Sequence, residues 1–331
     1  MKDIHVTVLT NAIVDILAHV EDKFLENLGL QKGGYKIISQ MEMEDLYAKI
    51  PPATEQSGGS LANTAAVLSL LGAKTCCLAK ITNDAFGKIF MHDMKAGGVL
   101  FPIPPAESLE ATGRSIILID EKGDRCMNTN LGSSVNINPE DLCLESIKKS
   151  HILCVEGYFW SDERTKKSAH KAIEVAKQAE TKIAFGLSAE WCVKTFREEF
   201  LSLIEESVDI LLGNELEYLA LFNKSLEDTI HHLTKMNVLS VITRGSEGSV
   251  IVKGQEVFYI PSITPKNFVD ATGAGDTYAS GFLYGLTQGL SLEESAKFGA
   301  LVASITIAQI GARPELSTIR KTLKEAGYEI E

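Results

Sequence analysis

The chain has 331 residues, 45% of them apolar, and a formal charge of −12. That allows one large α/β domain or two ordinary ones, with enough apolar material for a substantial core. An acidic surface without a long Lys/Arg run excludes nucleic acid as a non-specific partner, since such binding depends on displacing counterions from phosphates. No stretch of eighteen uninterrupted apolar residues exists, so no membrane span is expected. The six cysteines show neither CxxC nor metal-ligand spacing and several sit in apolar runs, which reads as reduced core thiols. The N-terminus is interrupted by Asp3, His5, Asn11 and Asp15, unlike a signal peptide, and the expectation is a cytoplasmic protein.

In chain order, Ile4–Leu9 reads as a strand ending at Thr10-Asn11. The stretch 20–50 is weakly periodic, with turns at Gly29 and Gly33-Gly34 and a charged surface helix over 41–49. Ser57-Gly58-Gly59-Ser60 leads into a helix from Leu61, a buried strand follows over 74–81, and Asn83-Asp84 caps a helix to about Ala96. Two strands over 114–120 and 125–129 are joined by Glu121-Lys122-Gly123-Asp124, a hairpin signal. From Pro139 onward strands and helices alternate regularly, with strands over 152–155, 182–187, 209–212 and 239–243, then a hairpin over 250–260. Three helices close the chain, over 274–288, 291–309 and 315–326. This alternation calls for a mostly parallel sheet covered by helices on both faces. Segments 19–52 and 101–131 break the rhythm and read as a small β lid, leaving 1–18, 53–100 and 132–331 as the core.

The stretch Asp270–Gly285 concentrates the chemistry. Small residues just before a helix leave backbone N–H groups uncovered, and with the helix dipole these make a seat for an anion. Asp276 inside that seat can take a proton from a hydroxyl held above it. Taken alone, the stretch fits an ordinary Gly-rich turn as well. In doubly wound sheets, however, ligands bind beyond the carboxyl ends of the strands. Asn11 and Asp15, Gly58, Gly59 and Asn63, Asn214 and Glu217, and Thr243, Arg244, Gly245 and Gly248 all fall at such ends. Each also has a plain explanation as a cap or turn, Asn214–Glu217 as a capping box.

The stretches Gly58–Asn63 and Asp270–Asp276 resemble the two signatures of the PfkB (ribokinase-like) family of ATP-dependent sugar and nucleoside kinases. Asn11–Asp15, Asn214–Glu217 and Thr243-Arg244-Gly245 extend the likeness in order along the chain. Asn128–Gly132, Glu156-Gly157-Tyr158 and Gly311–Pro314 are most similar to the bacterial adenosine kinase-like branch. The resemblance implies a ribokinase-like fold and transfer of the ATP γ-phosphoryl group to the primary hydroxyl of a ribosyl or sugar acceptor, adenosine first, with a free sugar such as ribose or fructose as the alternative. A catalytically silent binding protein is the alternative outside the enzymes.

By the same resemblance Asp276 would be the base, and Gly273, Ala274 and Gly275 the anion hole. Asn11, Asp15, Gly58, Gly59 and Asn63 would hold the sugar, with Tyr158 near the base of a nucleoside. Asn214 and Glu217 would organise Mg²⁺ through water. Asn214, Thr243, Arg244, Gly245, Gly248, Gly273 and Gly275 would meet the nucleotide. Arg125 would arrive over the phosphates when the lid closes. A monovalent cation such as K⁺, and a monomer or a homodimer, both fit the family. Thr10 where relatives commonly have Gly, and Ala271 after the first Asp of the second signature, depart from its pattern. No GxxxxGK[ST] and no G-x-G-x-x-G after a strand occurs, which excludes a P-loop and argues against a dinucleotide oxidoreductase.

Overall fold

A computed structural model describes residues 2–32, 34–121, 123–265 and 267–328. Gly33 and Lys122, within two expected turns, lie outside these residues. In chain order the first strands are β1 (Ile4–Leu9), β2 (Ile13–His19), β3 (Tyr35–Ile37), β4 (Thr54–Gly58), β5 (Thr75–Leu78), β6 (Gly113–Ile119) and β7 (Arg125–Asn130). They are followed by β8 (Ser150–Glu156), β9 (Lys182–Gly186), β10 (Ile210–Asn214), β11 (Leu239–Thr243), β12 (Ser249–Lys253) and β13 (Glu256–Ile260).

Eight strands form one sheet in the order β13-β12-β11-β10-β9-β8-β1-β5. Neighbours from β5 to β11 pair in parallel, and the β12–β13 hairpin adds an antiparallel edge. Period-2 alternation divides its side chains between two faces. Val6, Val8, Ile152 and Cys154 pack with Leu61, Phe90 and Phe282 from helices on one side. Leu9, Leu153 and Val155 pack with Ala169, Phe200 and Tyr218 on the other. Both faces are therefore dry, as a parallel sheet requires. Burying each such side chain contributes roughly 1.5–3 kcal/mol against the chain entropy lost. Because the strands run in parallel, Asn11, Glu156, Asn214 and Thr243 all emerge at one edge.

A second sheet of five strands, β3-β7-β6-β2-β4, stands over that edge. Ile16, Ala18, Ile116, Leu118 and Cys126 cover a small core of their own with Met43 and Leu46 from the helix Gln40–Tyr47. Ile13, Asp15, Ser115, Ile117, Met127 and Thr129 take the alternate positions and line a cleft on the opposite face. This sheet differs from the lid read from sequence. Its strands β2 and β4 lie almost wholly in segments assigned there to the core, while Phe101 and Ile103, assigned to the lid, pack into the cores of the main sheet. The reason is local. Thr10-Asn11 marks the end of β1, but nothing there signals that the chain enters a second sheet at once. Thr54–Gly58 is too polar to announce a strand.

Candidate active site

Two glycines bring the elements close enough to share a site. Gly59 begins the helix Ser60–Leu70 at φ 93°, and a Cβ there would stand 2.6 Å from the Asn11 carbonyl oxygen. Gly273 opens the helix Ala274–Thr287 at φ 71°, where a Cβ would stand 2.6 Å from Ala312. Left-handed backbone in so little space admits glycine and little else. Gly58 makes room differently, since a Cβ would fall 2.2 Å from an Asp15 carboxylate oxygen.

Asp276 lies in the first turn of the Ala274–Thr287 helix. Its two carboxylate oxygens accept hydrogen bonds from Ser60 Oγ at 2.7 Å and Asn63 Nδ2 at 3.0 Å. Burial pushes its pKa up to about 6, against the pull of these donors and of Arg313. Asp15, 8% exposed, is pushed up to about 7 by burial, opposed by Arg313 and Arg125 and reinforced by Asp276. Glu156 is buried at the end of β8, also near 7 because of burial. It accepts from Thr10 Oγ1 at 2.6 Å and from both the backbone N–H and Nδ2 of Asn11 at 2.8 Å. That fixes the Asn11 carboxamide with its Oδ1 buried and without a protein partner.

Asn214 and Glu217 form a reciprocal capping box. Asn214 N–H and Nδ2 donate to the Glu217 carboxylate at 2.9 and 2.8 Å, and Glu217 N–H donates to Asn214 Oδ1 at 2.9 Å. Burial raises Glu217 to about 7, with Asp276 adding to the effect. A carboxylate held at the cost of desolvation is suited to a cation nearby. Among the described residues, however, no group of three or more His, Cys, Asp or Glu could hold a metal ion. This donor set fits Mg²⁺ held through water and phosphate oxygens.

These residues border three clefts in a row. The first, about 330 Å³, takes in Asn11, Asp15, Gly59, Asn63, Tyr158, Gly273 and Asp276. The second, about 210 Å³, shares Ser60, Glu156, Ser188 and Asp276 with it and adds Asn214, Glu217, Thr243 and Gly275. The third, about 600 Å³, shares Asn214, Thr243 and Gly275 with the second and adds Gly245, Gly248 and Ala274. Its walls are apolar, with Ile263, Phe268, Ala300, Ala303 and Ile307. A carboxylate at a helix N-terminus thus stands between a pocket rich in hydroxyl partners and one leading to a long apolar slot. This geometry can seat an anion in the middle and deprotonate a hydroxyl beside it.

Two residues of the expected set stand outside these clefts. Arg125, on β7, is ion-paired with Asp270 and lines none of these three clefts. Asp270 also accepts from Thr272 N–H at 2.8 Å and Gly311 N–H at 2.9 Å. Burial works against its charge, but these two N–H groups and Arg125 outweigh it and lower its pKa. The guanidinium is therefore committed to the loop that shapes the anion seat. Arg244 likewise turns aside, its Nε donating to Glu215 at 2.9 Å, while Thr243 and Gly245 on either side line the third cleft.

Sequence reasoning passed over Ser60, the function of Glu156, and Arg313. Glu156 could have been found as an acid at the end of a strand, the criterion that selected Asn214.

Residues 40–319 match the pfkB family carbohydrate kinase model. The chain belongs to this family, and its activity is that of a phosphotransferase with an alcohol group as acceptor, a sugar kinase in the family's sense. A probable sugar kinase protein from Rhizobium etli CFN 42 is 38% identical and superposes with a TM-score of 0.92, over 99% of both chains. Adenosine kinase from Sinorhizobium meliloti is 40% identical with a TM-score of 0.92, over 98% of this chain and 99% of that one. The fold is thus ribokinase-like. Among curated proteins, the 5-dehydro-2-deoxygluconokinase of Bacillus licheniformis is 30% identical over 79% of this chain and 84% of its own length. No helix among the described residues is long and apolar enough to cross a membrane.

Proposed function

We propose that the protein transfers the γ-phosphoryl group of ATP to the primary hydroxyl of a ribosyl acceptor, converting adenosine to AMP. The observation that carries this reading is the polarity of the first cleft. Its lining includes Asn11, Asp15, Asn63 and Asp276, a set of hydroxyl partners. The same cleft is also lined by Tyr35, Ile37, Ile117, Met127, Leu131, Tyr158 and Trp191, with hydroxyls such as Ser115 and Thr129 among them. A purine covers such walls over a larger flat area than the small C–H face of a free sugar, and Tyr158 and Trp191 stand 6.0 Å apart at its border.

In this reading the ribose hydroxyl sits above Asp276, which takes its proton as the bond to phosphorus forms. Ser60 and Asn63 hold the carboxylate in place until then. The N–H groups at the start of the Ala274–Thr287 helix meet the charge spread over the transferring oxygens, and removing one such donor typically costs about 3 kcal/mol of barrier. Bound Mg²⁺ would neutralise phosphate charge, with Asn214 and Glu217 orienting its waters. Thr243, Gly245 and Gly248 border the nucleotide slot.

The kinship to 5-dehydro-2-deoxygluconokinases favours a second reading, a sugar-acid acceptor. Against it, the described lining of the first cleft contains Asp15, Glu156 and Asp276 and neither lysine nor arginine. Above pH 7, where all three are ionised, an anionic acceptor would enter a field of its own sign. A panel of adenosine, ribose, fructose and 5-dehydro-2-deoxygluconate, each with Mg-ATP and with or without K⁺, tests the assignment. Adenosine should be turned over with the highest kcat/KM, and turnover of a sugar with none of adenosine rejects it.

A further inference from the structure

Arg313 lies more than two hundred residues from its partners in sequence, yet the loop that carries it closes the site from behind. Gly311 N–H caps Asp270, Ala312 packs against Gly273, and the Arg313 side chain turns to Ser57 and Asn63. Arg313 Nε donates to Asn63 Oδ1 at 2.9 Å, and its Nη1 donates to Ser57 Oγ at 2.6 Å. Asn63 in turn donates from Nδ2 to Asp276. A carboxamide has two ends of nearly equal size, and only one of them can donate. Were Asn63 turned over, its oxygen would face the Asp276 carboxylate, and both hydrogen bonds would be lost.

We propose that Arg313 is a positioning residue for phosphoryl transfer: its guanidinium locks Asn63 so that the NH₂ end faces Asp276 and the reacting hydroxyl. The inference rests on the reading of Asp276 as proton acceptor. Charge supports the geometry. Arg313 is the cation that faces Asp15, Asp93 and Asp276 together, and its Nη2 is buried without a protein partner. Asp276 meets Ser60 and Asn63 from the Ser60–Leu70 helix and Arg313 from the closing loop, and its own charge raises the pKa of Asp15 on β2 and of Glu217 on the helix after β10. Removing Arg313 removes a positive charge and a donor lock from a cluster that is otherwise acidic. The proton affinity of Asp276 then rises.

The test compares Arg313→Gln and Arg313→Lys with the wild type, using whichever acceptor of the panel the wild type phosphorylates. Arg313→Gln should lower kcat at least tenfold, leave the Kd for ATP unchanged, and move the acidic limb of the kcat–pH profile up by about one unit. Arg313→Lys keeps the charge but loses the two-pronged hold, so its limb should return toward the wild type while kcat stays intermediate. A merely structural role would lower the melting temperature and leave the limb in place. That result, or a wild-type kcat in either folded variant, overturns the proposal. If the wild type phosphorylates no acceptor, the functional reading fails by itself, and the carboxyl ¹³C titration of Asp276 still decides about Arg313. A midpoint higher in Arg313→Gln than in the wild type supports the role of Arg313, and equal midpoints overturn it. Should Arg313→Gln not fold, Arg313→Lys carries the kinetic comparison.

Discussion

Gly273→Ala is expected to damage the anion seat through the backbone. The native φ of 71° is left-handed, which costs an alanine about 1–2 kcal/mol. The new methyl would also stand 2.6 Å from Ala312 Cα, Cβ and carbonyl oxygen. Ordinary carbon contacts lie at about 3.5–4.0 Å, so the seat or the 311–313 loop must yield by roughly 1 Å. A misplacement of about 1 Å in a reacting geometry can cost on the order of a hundredfold in rate. The loop cannot retreat freely, because Gly311 N–H is bonded to Asp270 and Arg313 to Asn63. We therefore expect kcat to fall about a hundredfold, read as ADP release at saturating substrates, with a stability loss of about 2 kcal/mol by urea unfolding. Gly275→Ala is the control. No heavy atom lies within 4 Å of its would-be Cβ, and alanine is the better helix former. Its stability should hold or rise while the methyl, beside the second and third clefts, weakens nucleotide binding. A kcat for Gly273→Ala within twofold of the wild type, about 0.4 kcal/mol of barrier, would refute the reasoning.

Two further outcomes follow from charge. Asp276, Asp15, Glu156 and Glu217 all have pKa values raised by burial, to about 6 for the first and about 7 for the others. The folded state thus binds more protons than the unfolded chain between pH 4 and 7, so their contribution is greatest below the ordinary carboxylate range and is lost as pH rises through 6–7. Melting of the ligand-free protein should show this decline, and a melting temperature rising across that window would contradict it. Arg125→Ala should leave the Asp270 carboxylate buried beside N–H donors alone, since the pair is only 16% and 6% exposed at its side chains. Removing one partner of a buried pair costs about 3–5 kcal/mol. An unchanged urea midpoint would show that the pair contributes nothing to stability.

Much of the main sheet was legible because burial on both faces leaves apolar runs between polar ends. The observed β1 and β11 coincide with the segments 4–9 and 239–243 read from sequence. The regular alternation expected from Pro139 onward begins with a short 3₁₀ turn over Pro139–Asp141 and a helix over Leu144–Lys148, separated by Leu142 in extended backbone and by Cys143. For the site, strand ends and glycine pairs pointed to Asn11, Gly59, Asn63, Asn214 and Asp276, and the structure brings these to adjoining clefts. What stayed hidden depends on contacts between distant segments. Nothing near Arg125 in sequence tells that it will meet Asp270. Arg313 is 250 residues from Asn63, and only the closed fold shows which end of the carboxamide it holds.

The central claim is that Asp276 accepts the proton of the acceptor hydroxyl, and Asp276→Asn tests it most directly. The substitution keeps the size and still lets one oxygen accept from Ser60 or Asn63, but it removes the base. Loss of a positioned general base typically costs about 10²–10⁴ in rate. The expected result is a kcat lowered by that factor with the Kd for ATP unchanged. Turnover at the wild-type rate in Asp276→Asn would contradict the account.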